Sequence, residues 1–481
     1  MSDAPNSGER PKTGMRRIPF PLESYEHPSP PLSTRRLVNL MAEQEPSDAR
    51  TAAALVPTPG LSVYKTVGTG PVRAINSDLP GIVYFASGDH FYRMFYSTGV
   101  VTDLGYIGTP AMDTAGHDTL ITTIAVGPTA AVVCVPPNAY TCSHEGPINQ
   151  IGGDYPGAYS VAYLDGYFVF VQSGDSGRWF ISGLFDPLSY DALDFAYADA
   201  APNVARLVIA HRGEIWLLGE GAIEIWRDSG DADFPFRRQS GGVIWVGCAD
   251  SKSVARIDGS VWWLGTDHNV YRSNGYRAQR VSTHAIEAII HGDFGELVCG
   301  LAYVQEGHTF YAITLATRTL VYDCLTQAWH ERSSSTDGSL AWRPRSASNA
   351  TALLLFGDNL SGKVFEATPR LETDDGIPLI RQFISPPLWA MTRRAFCARL
   401  ELEMETGRAY TPGDVRLEWS DDGGINWTGG PRTMNAGAPS DLRKRVYATR
   451  LGSFRQRVFR VTAVGRATFY ALDADIAAGE H

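Results

Sequence analysis

Gly174-Asp-Ser-Gly177 has the core of a nucleophile motif, in which a remote His–Asp pair activates the Ser and glycine backbone stabilises an oxyanion. Arg178 follows where another Gly is needed, and no His stands earlier in a matching context, so the expected reading is a polar hairpin turn. Ser420-Asp-Asp-Gly-Gly-Ile-Asn-Trp427 is more specific. With Ser420, Asp422, Gly424 and Trp427 in register, it follows the Asp-box pattern Ser-x-Asp-x-Gly-x-Thr-Trp, except that Asn426 replaces Thr. In such a hairpin Asp422 binds backbone amides, Gly424 takes a positive φ and Trp427 packs on the strand base. A fold brace is the expectation, and a sugar site the alternative. The third feature is basic: Arg443-Lys444-Arg445, then Arg450, Arg455, Arg457 and Arg460. Arg455 and Arg457 alternate, which puts several Arg on one strand face. Three readings stay open: a solvated face, an interface for acidic partner surfaces built on Arg443, Lys444, Arg445, Arg455 and Arg457, and DNA contact.

No other chemistry is indicated. The 11 His are scattered without HxxxH or HxH spacing. Asp374-Asp375 and Asp421-Asp422 lie beside Gly and have the oxygen donors for Ca²⁺, but such pairs are more often solvated turns. Neither a catalytic residue, a cofactor nor a metal is expected. The six Cys, at 134, 142, 248, 299, 324 and 397, form no CxxC pair and read as reduced, buried thiols.

The elements that carry these residues are strands. Among 481 residues there are 48 Gly, 29 Pro, 11 Trp, 21 Tyr and 20 Phe, a mixture that favours short strands and tight turns. With 44% hydrophobic and 20% charged residues, a sizeable core can form. From about residue 60 a Gly or Asp-Gly turn recurs, followed by an aromatic, β-branched strand and then a partner strand. Examples are Asp165-Gly-Tyr-Phe-Val-Phe-Val171, Gly213-Glu-Ile-Trp-Leu-Leu218 and Asp258-Gly-Ser-Val-Trp-Trp-Leu264. The starts fall near 81, 165, 213, 258, 307 and 352, with intervals of 48, 45, 49 and 45 over the last four and room for one more unit near 105–150. A period of 40–50 residues built of hairpins is the signature of a β-propeller. The count is about six blades, and the spacing also admits seven.

The fold class expected is therefore all-β. An extended N-terminal arm covers 1–36, a β-propeller 37–375, and a C-terminal β-sandwich-like domain 376–481, where Arg399-Leu-Glu-Leu-Glu-Met404 and Val415-Arg-Leu-Glu-Trp419 alternate. Pro19, Pro21, Pro28, Pro30 and Pro31 prevent a regular helix in the arm, which reads either as a tail or as a segment that orders on a neighbouring subunit. The formal charge of −10 is uneven. Residues 376–481 hold 15 basic and 11 acidic groups (+4), and the rest 27 and 41 (−14). That balance argues against a protein gripping nucleic acid over its whole surface. No stretch is long and apolar enough for a bilayer, and the start lacks a signal-peptide core, so synthesis in a cytoplasm and no membrane insertion are expected.

In order along the chain, Val38-Asn-Leu-Met-Ala-Glu43, Pro57-Thr-Pro-Gly-Leu61, Tyr163-Leu-Asp-Gly-Tyr-Phe-Val169, Phe180-Ile-Ser-Gly183, Leu193-Asp-Phe195, Phe234-Pro-Phe236, Gly241 to Gly247, Ser253-Val-Ala-Arg-Ile-Asp258, Trp262-Trp-Leu-Gly265, Val270-Tyr-Arg272, Gly275-Tyr276 and Ser453-Phe-Arg-Gln-Arg457 form a set that resembles the packaged-DNA-stabilisation, or tail hub and nozzle, proteins of short-tailed bacteriophages. The likeness spans about residues 37–465 and none of these motifs is catalytic. It implies a non-enzymatic virion tail component, made in the host cytoplasm. It implies a homohexamer docked below the portal-adaptor ring, extending the DNA channel and retaining packaged genome. Its implied partners are the portal-adaptor, tail needle, plug or fibre proteins, and double-stranded DNA that passes without sequence readout. The alternatives from other classes are a carbohydrate-binding or glycosidase-type propeller and a receptor-binding tail protein.

Overall fold

Four hairpins set the rhythm of the central part of the chain. Asp165-Gly166, Arg212-Gly213, Asp258-Gly259 and Glu306-Gly307 each place two successive residues at positive φ, between 49° and 94°. This is the type I′ turn, whose twist matches that of the strands it joins. Each turn links the first two strands of a sheet: Ala158–Leu164 to Tyr167–Gln172, Ala205–His211 to Glu214–Gly219, Ala255–Ile257 to Ser260–Leu264, and Cys299–Gln305 to His308–Thr314.

The computed structural model describes residues 14–44, 53–109, 121–174, 177–202, 204–293, 299–350, 353–368, 371–390, 394–406, 414–428, 430–438, 440–441, 444–465 and 467–478. They fall into two units, one of residues 61–325 and 341–368, the other of 1–60, 326–340 and 369–481.

The first unit is the propeller. Six antiparallel meanders of consecutive strands follow one another, beginning at Val72, Thr123, Ala158, Ala205, Ala255 and Cys299. A seventh sheet, made of Pro344–Ala350, Leu353–Asp358 and Lys363–Thr368, takes its outer strand, Gly60–Thr66, from the other end of the unit. The hydroxyls of Ser62 and Thr368 meet there at 2.7 Å. This sheet packs beside the first meander and closes the circle.

The second strands are buried on both faces, which explains their unbroken apolar runs. In Ile82–Ser87, Ile82, Tyr84 and Ala86 pack on Ala131, Val133 and Val135 of the next blade. Val83 and Phe85 face the other way, onto Leu355 and Val364 of the seventh sheet. Trp262 stacks on Tyr311 of the following blade with centroids 5.2 Å apart, and Tyr303 meets Phe356 edge-on at 5.3 Å. Five of the six thiols are buried and all are reduced. His284–Asp293 is the one α-helix among the described residues. Near its start Ser282 Oγ donates to Glu287 Oε1 at 2.7 Å.

The second unit is a sandwich of two sheets. One holds Leu40–Gln44, Ala53–Pro57, Phe469–Ala478, Ala395–Met404 and Val446–Thr449. The other holds Thr34–Val38, Ile380–Ile384, Gln456–Val464, Asp414–Ser420 and Arg432–Asn435. Their inner faces share one core, with Leu400, Leu402, Val446 and Leu472 opposing Phe383, Val415, Leu417, Phe459 and Val461.

The grouping of the chain differs from boundaries at residues 36 and 375. Residues 14–57 contribute strands to the sandwich because their partners are C-terminal: Gly14–Ile18 pairs antiparallel with Leu472–Ile476, and Leu37 lies opposite Phe383. The described part of the arm is thus ordered on its own chain, with Arg17 bound to Asp473 at 2.6 Å.

Phe170 is fully buried between blades and stacks on Phe180 at 5.1 Å. Phe170→Ala is expected to lower stability by about 3–5 kcal/mol, read from a shifted denaturant midpoint with an unchanged slope.

Candidate functional site: an aspartate hairpin among arginines

The hairpin at 420–428 ties itself together through three side chains, Ser420, Asp422 and Asn426. Ser420 Oγ accepts from Gly424 N at 2.8 Å and donates to Asp422 Oδ1 at 2.6 Å. Asp422 Oδ1 also accepts from Asn426 N at 2.9 Å, and Oδ2 accepts from Asn426 Nδ2 at 2.7 Å. Asn426, standing where the pattern has Thr, therefore contributes its side-chain amide to the brace. The hydroxyl of Ser420 and the amide of Asn426 hold the Asp422 carboxyl down to about 2. Gly423 and Gly424 sit at φ 78° and 102°, and a Cβ on Gly423 would lie 2.7 Å from Pro31 Cα. The hairpin tip and residues 31–34 thus fit only because both positions lack side chains.

Trp427 does not open a sugar platform. Its ring is covered by the Arg460 guanidinium at 4.1 Å, and Arg460 is itself held by Glu418 through two bonds of 2.8 and 2.7 Å. Glu418 and Arg460 lie opposite each other on paired strands, so the ion pair reinforces the register.

The basic stretch divides. Arg457 is 1% exposed and belongs to the interior, so its place in an interface set is corrected. It binds Asp421 through bonds of 2.6 and 2.8 Å, donates to Leu451 O at 2.7 Å, and lies over the Phe454 ring at 4.6 Å. Arg455 is exposed. The alternation argument fails because the strand begins at Gln456, leaving Arg455 in the preceding turn. Lys444 and Arg445 are exposed, with carboxylates no closer than 3.9 Å (Asp441) and 3.8 Å (Glu401) in their ion pairs. Arg443 lies outside the described residues, as do Asp175 and Ser176 of the nucleophile-like turn. Asp374 is buried and accepts from Ser334 Oγ at 2.9 Å. Among the described residues no cluster of three or more His, Cys, Asp or Glu is placed to hold a metal.

Sequence reasoning missed the most connected polar residue of the sandwich. Asn39, at φ 54°, donates to Ser333 O and Ile380 O at 2.9 and 3.0 Å and accepts from Ser333 N at 3.0 Å. Arg381, fully buried, donates to Asn39 O at 2.9 Å, Thr58 Oγ1 at 3.2 Å and Gly465 O at 3.2 Å. A lone Asn between the apolar runs of Leu37-Val38 and Leu40-Met41 was the available signal.

These observations define a class: a β-propeller chain with a β-sandwich, whose aspartate hairpin and buried arginines brace its own strands. The family model described as Bacteriophage P22 Gp10, beta-propeller, matches residues 18–369, and that described as Bacteriophage P22 Gp10, beta-sandwich, matches residues 380–477. The chain belongs to this phage family, which is concerned with stabilisation of packaged DNA, and it is on that ground a structural phage-tail protein. No curated protein matches it. Among solved structures, a chain of the Mitotic Checkpoint Complex is 11% identical, with 68% of this chain and 95% of that one covered and a TM-score of 0.42. BamB from Moraxella catarrhalis is 10% identical, with 69% and 97% covered and a TM-score of 0.39. Both are too distant to bear on function. No helix among the described residues is long and apolar enough to cross a membrane.

Two predictions follow from this geometry. The Asp422 carboxyl is lower folded than unfolded, so its contribution is complete above the unfolded value near 4 and is lost as pH falls towards 2. Asp422→Ala should flatten the stability–pH curve in that window and leave its slope near neutrality unchanged. Asp421→Asn should cost about 1–3 kcal/mol, because it leaves Arg457 charged and buried, whereas Lys444→Ala should stay within about 0.5 kcal/mol. Denaturant titration of the three variants checks both.

Proposed function

We propose that the chain is the hub or nozzle of a phage tail: a homohexameric ring docked below the portal-adaptor, extending the DNA channel, retaining packaged genome and carrying the needle, plug or fibre proteins. The supporting observation is that both parts of the chain, residues 18–369 and 380–477, match the two parts of one packaged-DNA-stabilisation family. The role is mechanical and the chain is no enzyme.

Physical arguments agree with this reading. Six identical subunits contacting head-to-tail close into a ring when the rotation per subunit divides a full turn. The net charge of −10 repels duplex phosphate, so DNA slides past such a wall instead of adhering to it. Lys444, Arg445 and Arg455 are exposed cations on a chain whose first 375 residues sum to −14, a pairing suited to contacts between neighbouring subunits.

Heads assembled in a host infected with phage lacking this gene test the proposal. They should package genome and then lose it, and the wild-type protein bound to the portal-adaptor should have a native mass of six chains. Heads that keep their DNA but fail to adsorb would overturn it and favour a receptor-binding part.

A further inference from the structure

Between the third and fourth strands of the third blade, residues 183–194 turn apolar side chains towards water. Leu184, Phe185, Leu188 and Leu193 are each more than half exposed. The loop is nevertheless fastened along its length. Phe185 N donates to Gly166 O at 2.8 Å, Gly183 N to Ser189 O at 2.8 Å, and the Tyr190 hydroxyl to Pro187 O at 2.6 Å. Thr129 Oγ1 donates to Phe185 O at 3.3 Å. Phe185 is held at φ 56°, a conformation that costs a bulky residue about 1–3 kcal/mol. A fixed, strained loop that presents apolar side chains has the shape of a binding surface formed before its partner arrives.

The same loop is acidic. Asp186 and Asp191 accept from the backbone amides of Leu188 and Leu193 at 2.9 Å each, which keeps both carboxylates on the exposed side of their turns. Asp194 follows, its carboxyl pushed up by burial and by Asp191. None of the three carboxylates is ion-paired among the described residues.

The sandwich carries a surface of the opposite kind. Ala395 lies opposite Phe454, so Arg394 and Arg455 flank that pair from the same end, and Phe396 follows on the next position. Ala390 N donates to Arg455 O at 2.8 Å, which brings Trp389 alongside. Trp389 and Phe396 are more than half exposed, and Arg394 and Arg455 are exposed. Neither arginine is ion-paired among the described residues. Tryptophan and arginine are the residue types that most often carry the binding energy of a protein interface.

We infer that the acidic, apolar loop of residues 184–194 docks on the Trp389, Arg394, Phe396 and Arg455 surface of a second copy of this chain. Leucines against the two aromatic rings exclude water, and Asp186 and Asp191 supply the carboxylates that the arginines lack. A second copy fits because the chain itself provides both surfaces, opposite in charge and alike in apolar content. The two surfaces differ, so the contact is head-to-tail, the type that builds a ring when its rotation closes. The inference rests on the ring proposed above and names the surfaces that would close it.

The native mass of the full chain bound to the portal-adaptor, measured with charge-swapped variants, tests this. Asp186→Arg with Asp191→Arg, and Arg394→Asp with Arg455→Asp, should each lower ring assembly about tenfold or more. All four substitutions in one chain, or an equimolar mixture of the two double variants, should restore it to within severalfold, the mixture as alternating rings. A folding defect on one surface is not repaired by a change on the other, so rescue distinguishes docking from misfolding. Independently of the swaps, Leu193→Cys with Phe396→Cys should join neighbours into a reducible ladder of oligomers in the presence of oxidised glutathione. A wild-type ring that gives no such ladder, or whose double variants assemble as well as it does, would overturn the inference and leave the ring itself standing. A wild-type chain that stays single on the portal-adaptor would overturn both.

Discussion

A four-stranded sheet with two apolar faces cannot stand in water, and that constraint governs the larger unit. Every blade needs a neighbour on each side, so the row of blades is stable only as a closed circle. The contact between Val83 and Phe85 of the first blade and Leu355 and Val364 of the last is therefore the condition under which all the other interblade contacts persist. Its covalent geometry is economical: the strand Gly60–Thr66, which precedes the first blade, completes the last one, so opening the circle would expose two apolar faces and one sheet edge together.

The sandwich solves a different problem. Its strands come from three separated stretches of sequence, and apolar packing alone does not specify how such stretches register. Asn39 supplies the register. Asn tolerates the left-handed conformation better than most residues, and there its amide bonds the backbone at Ser333 and Ile380, one from each of the other two stretches. Arg381 extends the tie to Thr58 and Gly465. Burial and the neighbouring Arg332 both push the Arg381 guanidinium down from its ordinary value, so the cluster holds charge at a cost offset by the number of carbonyls it satisfies. Residues 31–34, seated against Gly423 and Gly424, use the same stratagem at the sandwich edge: shape complementarity at a point where only glycine fits.

What could be read from sequence follows the locality of each signal. Asp165-Gly166 and Asp258-Gly259 announce their turns because the conformation and the residue types are adjacent, and Tyr167–Gln172 announces a doubly buried strand by its own composition. The seventh sheet was harder to count, since its fourth strand lies some three hundred residues before the other three and no periodicity records that. For the same reason the boundaries at 36 and 375 missed the sandwich strands between Gly14 and Pro57, among which Gly14–Ile18, Thr34–Val38 and Ala53–Pro57 have partners beyond residue 380. The aspartate hairpin was legible as a turn, but the covering of Trp427 by Arg460 was not, because a cross-strand pair depends on register. The cavity lined by all the blades was invisible for a related cause: Arg73, Lys252 and Arg345 are far apart in the chain and line one space only when the blades close.

The fate of the arginines carries the argument further. The chain has 37 Arg and 5 Lys, and the described Arg side chains are repeatedly spent inward. Arg457 bridges Asp421 and two carbonyls beneath an aromatic ring, Arg460 joins Glu418 to Trp427, Arg343 grips the buried Asp358, and Arg36 grips Glu331 at 2.7 Å. Lysine cannot make these forked, planar contacts, which explains the bias without appeal to nucleic acid. The +4 of residues 376–481 already nets these pairs, since Asp421 and Glu418 are counted against Arg457 and Arg460. Arg457 and Arg381 are enclosed and Arg460 is matched by Glu418, whereas Arg394, Arg416, Arg432, Lys444, Arg445, Arg450 and Arg455 face solvent.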